Sequence, residues 1–172
     1  TFTPSDWNTP KIVTVTGVSD TSLNLTDQIV DVTVAVVDAS SDTAFNLVAD
    51  QTVNVTLVEN KSPIVVLTDT LSVNEGSIGT ITVKLGAQPA TSKNVVLNVV
   101  SDTESVATVN TPLTFTDENW DSTQDITVTG VDNDTLGNGN ATITISVEGT
   151  GDSRDANFDA AADKTVYVTV VN

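Results

Sequence analysis

The 172-residue sequence contains no cysteine, no histidine and no methionine. Without them the chain has no disulfides, no thiolate nucleophile, no imidazole base and none of the usual side chains of zinc or copper sites. Basic residues are scarce as well: six Lys and Arg stand against 23 Asp and Glu, a formal net charge of −17. A surface of that sign repels phosphate backbones and anionic headgroups, so neither nucleic acid nor a membrane is an expected partner; cations are attracted instead. Aromatic residues make up only 4% of the chain. No stretch approaches the roughly 20 consecutive apolar residues that span a bilayer.

What is present is enough apolar surface for a core. Hydrophobic residues reach 38% and charged residues only 17%, a balance that argues against disorder. The most informative pattern is internal. Thr1-Phe2-Thr3, Trp7 and Thr14-Val15-Thr16-Gly17-Val18 recur 113 positions later as Thr114-Phe115-Thr116, Trp120 and Thr127-Val128-Thr129-Gly130-Val131. The same offset carries Asp42, Phe45 and Asp50 onto Asp155, Phe158 and Asp163, with no gap, and 21 of the 59 overlaid positions are identical. That frequency points to duplication. On this reading residues 60–172 are one complete repeat of 113 residues, and 1–59 are the C-terminal half of a preceding copy whose first 54 residues lie outside the chain. The boundary falls at Glu59-Asn60-Lys61-Ser62-Pro63, a short linker.

Within the repeat the periodicity is two. Ile81, Val83 and Leu85 alternate with Thr80, Thr82 and Lys84; Ile143, Ile145 and Val147 alternate with Thr142, Thr144 and Ser146. Such alternation gives each strand one buried and one wet face, and Val, Ile and Thr suit a pleated, half-buried surface. Seven or eight such runs, separated by Gly, Asn, Asp and Pro, predict an all-β, antiparallel β-sandwich with Val83, Leu97, Ile126, Val128, Ile145 and Val168 inward. In the half-copy, strands are expected over 11–18, 30–37 and 51–58, with Val13, Val15, Val32, Val34, Val53 and Val55 facing water unless something completes them.

Leu113-Thr114-Phe115-Thr116 with Asn119-Trp120, then Thr127-Val128-Thr129-Gly130-Val131-Asp132-Asn133-Asp134, resembles the repeats of giant bacterial and cyanobacterial surface proteins, which are related to Calx-beta domains and broadly cadherin-like. Val73-Asn74-Glu75-Gly76 resembles the opening motif of Calx-beta domains. The resemblance implies an immunoglobulin-like sandwich, extracellular placement, frequent calcium binding and a role in adhesion or in spacing other modules.

Calcium takes six to eight oxygen ligands. Glu75, Asp132 and Asp134, in loops next to strand ends, are the candidate ligands, and Asp69 and Asp102 are candidates to join them. The competing reading is that Asp and Asn make turns there. A second acidic stretch, Asp155, Asp159 and Asp163, recurs in part as Asp42 and Asp50. The recurrence of Phe and Trp at the same place in each copy marks them as packing plugs rather than sugar platforms. No pair of carboxylates stands out as a glycosidase dyad, and no enzyme activity is expected. The expectation is therefore a secreted, non-catalytic spacer of a surface adhesin or extracellular fibre, stiffened by Ca²⁺. Its partners would be neighbouring repeats, including head-to-tail self-assembly. The alternative is a carbohydrate-binding module, which an exposed aromatic cluster on one face would favour.

Overall fold

A computed structural model describes residues 1–19, 23, 26–59, 61–134 and 136–172. Asn60, where the repeat boundary is expected, lies outside them. The described residues form strands and three single-turn 3₁₀ helices, and no α-helix. This matches a sequence whose apolar residues recur every second position and nowhere at helical spacing.

Residues 64–171 supply nine strands among the described residues: β3 (Ile64–Val66), β4 (Thr70–Asn74), β5 (Ile78–Leu85), β6 (Asn94–Ser101), β7 (Ala107–Val109), β8 (Leu113–Thr116), β9 (Gln124–Gly130), β10 (Gly139–Val147) and β11 (Lys164–Val171). They build two sheets, a five-stranded one in the order β4-β11-β10-β6-β8 and a four-stranded one in the order β3-β5-β9-β7. The core lies between them. Ile81, Val83, Ile126 and Val128 come from one sheet and Leu97, Val99, Ile145 and Val168 from the other, each at most 1% exposed. All six residues expected to point inward do so. Burial is worth about 1.5–3 kcal/mol for each such side chain.

Two details depart from the expectation. The pairing is not wholly antiparallel, because β4 runs parallel to β11 from Thr70↔Tyr167 to Asn74↔Val171. There are also nine strands where seven or eight were expected. The shortest of them, β3 and β7, have three residues each. The edge strands β3, β4, β7 and β8 have three to five residues and the inner ones seven to nine.

Residues 1–59 behave differently. β1 (Gln28–Val34) and β2 (Gln51–Leu57) form an antiparallel two-stranded sheet. The strand expected over 11–18 does not form: this segment has no ladder, and Ile12 and Val13 are 93% and 71% exposed. The matching segment, β9, is held by β5 on one side and β7 on the other. Strand propensity alone does not build a strand without such neighbours. Val13, Val15, Val34 and Val53 face water as expected, whereas Val32 and Val55 are half-buried.

The β1–β2 hairpin is also paired differently from its sequence counterpart. Val30 lies opposite Val55, but the corresponding Ile143 lies opposite Val166, not Val168. The two registers differ by two residues, which keeps every side chain on its own face. In β10–β11 the final residues of β10 pair with β6 instead (Ser146↔Asn98, Val147↔Leu97). Among the described residues β1 has no third strand, so its final residues add rungs to β2, ending at Val34↔Gln51.

Candidate functional site

Four of the five candidate calcium ligands gather at one pole of the sandwich, where β4, β6, β9 and β11 end. Glu75 sits in the turn Asn74–Ser77, closed by the Ser77 amide donating to the Asn74 carbonyl at 3.0 Å. Gly76, at φ +67°, occupies the left-handed conformation that glycine adopts without steric cost. The turn is clamped to both sheets. The Glu75 amide donates to the Val171 carbonyl at 2.9 Å, the Gly76 amide to the Gly130 carbonyl at 2.9 Å, and the Gly130 amide to the Ser77 carbonyl at 3.0 Å. Gly130 is required by this clamp, since a β-carbon there would lie 2.7 Å from the Asn74 carbonyl oxygen. The Asn-Glu-Gly motif is thus a fastener between the sheets.

Asp132 and Asp134 follow β9 and are exposed, Asp134 with φ +55°. Their loop is anchored by the Val131 amide donating to the Val106 carbonyl at 2.8 Å and by the Asn133 side-chain amide reaching the Ser105 carbonyl at 3.3 Å. Asp102, at the end of β6, accepts from the Thr142 amide at 2.8 Å and from the Thr103 hydroxyl at 3.0 Å. The Thr142 amide first, and then the Thr103 hydroxyl, hold its carboxyl below the usual aspartate range. Asp69 is not at this pole. It precedes β4, at the strand's other end from Glu75, beside a shallow groove that Lys164 and Thr165 also line. Among the described residues no group of three acidic side chains converges to hold a metal ion.

In the second acidic stretch, Asp155 is committed to backbone amides. Asp155, only 6% exposed, accepts from the Ala90 amide at 2.7 Å through one oxygen. Its other oxygen accepts from the Asn157 amide at 3.0 Å and caps a 3₁₀ turn over Ala156–Phe158. Phe158 is fully buried, and Asp159 pairs with Arg154. Asp42 forms the same cap over Thr43–Phe45, accepting from the Ala44 amide at 2.9 Å, yet Phe45 is 56% exposed. Sequence reasoning named these aspartates as acidic residues and missed their capping role. The signal was the shared spacing Asp-x-x-Phe.

The aromatic residues divide by segment. Phe115 is buried, and Trp120 is half-buried against the core while its carbonyl accepts from the Leu85 amide at 3.0 Å. The matching Phe2 and Trp7 are 58% and 72% exposed.

No family model matches the chain. No curated protein matches it either. Among solved structures the chain is similar to domains 4 and 5 of the S-layer protein SbsC, with 26% identity over 72% of this chain and 53% of that one, at a TM-score of 0.42. A structure of SbsC domains 4–9 aligns with 26% identity over 72% of this chain and 16% of that one, also at 0.42. CaCohA2 from Clostridium acetobutylicum is 16% identical over 64% of this chain and 92% of that one, at 0.36. The chain spans about half the length of the SbsC two-domain structure. These scores mark partial superpositions.

Proposed function

We propose that this chain is a non-catalytic, load-bearing spacer of a secreted surface protein or extracellular fibre, joined to neighbouring repeats. The observation that carries this reading is the parallel pairing of β4 with β11. It sets the second and the last strand of the 64–171 sandwich side by side, pointing the same way. Tension applied through the two ends of that sandwich enters through the three-pair β3–β5 ladder and then runs along the β4–β11 ladder, loading its five residue pairs together. An antiparallel hairpin pulled at its open end parts one rung at a time. The carboxylates support the same reading, because Asp102, Asp117 and Asp155 accept backbone amides and hold loops in place.

Single-molecule pulling tests it. Attachment at Lys61 and Asn172 should give one high-force rupture. Attachment at Asn138 and Asn172, beside the paired residues Gly139↔Val170, should peel β10 from β11 at a clearly lower force. Equal forces in the two directions would remove the mechanical argument.

Calcium belongs to the same proposal. Glu75, Asp132 and Asp134, with Asp102 adjoining, are the oxygen donors a divalent cation would use at this pole, and it would tie the β4–β5 turn to the loop after β9. The rival carbohydrate reading finds less support in 61–172, where Phe115 and Phe158 are buried, Trp120 is half-buried and Tyr167 alone is an exposed aromatic among the described residues.

A further inference from the structure

We infer that residues 1–59 present the inner face of a half-sandwich, and that the partner it fits is a polypeptide with the chemistry of residues 61–113, supplied by a neighbouring module. Residues 114–172 show what such a face is built to meet. Nine of their ten buried apolar residues have an apolar counterpart 113 positions earlier; the exception is Gln28, which stands where Ala141 is buried. The counterparts keep their character although Phe2, Val13, Val15, Phe45 and Val53 are 49–71% exposed.

Gly17 is a second, independent indication. Its counterpart Gly130 has to be glycine because the Asn74 carbonyl oxygen comes within 2.7 Å of where a β-carbon would be. At Gly17 the nearest atom among the described residues is the Leu57 side chain at 3.5 Å, an ordinary contact. The glycine answers a close approach that the described residues of 1–59 do not themselves make. Asp42 is a third. It holds Phe45 on the same capped turn that seats Phe158 in the core, where Asp155 also receives the Ala90 amide from the 61–113 segment.

A second copy of this chain is the wrong occupant. Its 61–113 face is already covered by its own 114–172, and exchanging that cover for residues 1–59 would bring Gln28 to the place of Ala141. Docking a free segment of the 61–113 type has a structural consequence. β1 would gain a third strand corresponding to β6, and the hairpin would slide by two residues so that Val30 faces Val53, as Ile143 faces Val166.

The test is the full chain with residues 60–113 repeated ahead of Thr1. Hydrogen exchange at 11–17 should slow by at least about a hundredfold relative to the unextended chain. The cross-strand proton contacts of Val30 should move from Val55 to Val53, and the extended chain should stay monomeric. Protection at 124–130 in the same sample reports that the original sandwich is folded. If that segment is protected while 11–17 exchanges as before, the inference is wrong. Gly17→Ala adds a second arm, expected to leave the unextended chain unchanged and to abolish the new protection in the extended one. Undiminished protection in that variant would also overturn it. Sedimentation of the unextended chain should show a monomer; a dimer that itself protects 11–17 would assign the face to a second copy instead.

Discussion

Residues matched in sequence need not carry matched energy. Phe158 is fully buried and Phe45 is 56% exposed, although both sit on the same capped turn. Phe158→Ala should cost about 3–5 kcal/mol, as aromatic truncations in cores do. Phe45→Ala should stay within about 0.5 kcal/mol, the range of surface changes. Denaturant midpoints of the two variants measure the contrast, and comparable losses would mean that Phe45 is packed in solution. Asp102 gives a pH dependence. Its carboxyl is held below the ordinary aspartate range by the Thr142 amide and then the Thr103 hydroxyl. The stability it contributes is therefore complete above that range and is lost as pH falls through its lowered value. Asp102→Asn keeps an acceptor oxygen and removes the titration. Its stability should decline less steeply on acidification, read from urea midpoints between pH 5 and pH 2, and parallel curves would deny Asp102 this role.

At the scale of the element, strands form where neighbours complete their ladders. The segment 124–130 and its counterpart 11–17 share Thr-Val-Thr-Gly, yet only the first is a strand. Amide exchange should therefore be slow throughout 124–130 and near the unprotected rate over 11–17. Equal protection would show that the shorter segment finds a ladder after all. This marks the boundary of what sequence can say. The inner strands β5, β9, β10 and β11 were legible because alternation over seven to nine residues specifies a face. β7 was harder to read, because three residues carry too little pattern. The two-residue slide of β1 on β2 was illegible too, since it moves no side chain to the other face and so leaves no trace in the alternation. For the candidate site, Glu75, Asp102, Asp132 and Asp134 were legible as residues of strand-end loops. The separation of Asp69 from them depends on which end of β4 it precedes, a matter of topology rather than composition.

For the molecule as a whole, a net charge of −17 sets the response to ions. Screening of self-repulsion should raise the melting temperature as sodium chloride is added at low ionic strength. Calcium at matched ionic strength separates a specific site from screening. A further rise that is reversed by chelator and lost in a Glu75→Gln, Asp132→Asn double variant supports a site at that pole. A curve that follows ionic strength alone leaves only the diffuse field. The distribution of strand lengths governs a different property, the way molecules behave when crowded side by side. The long inner strands of the 64–171 sandwich are paired on both sides, and the rims are strands of three to five residues. Short rims offer a neighbour too few free rungs to start cross-molecular pairing. Among the described residues β1 and β2 form a sheet of only two strands, so each of these seven-residue strands is an edge. Any slow clumping of a concentrated solution should therefore begin within residues 28–57 and leave the neighbouring sandwich intact inside the clump.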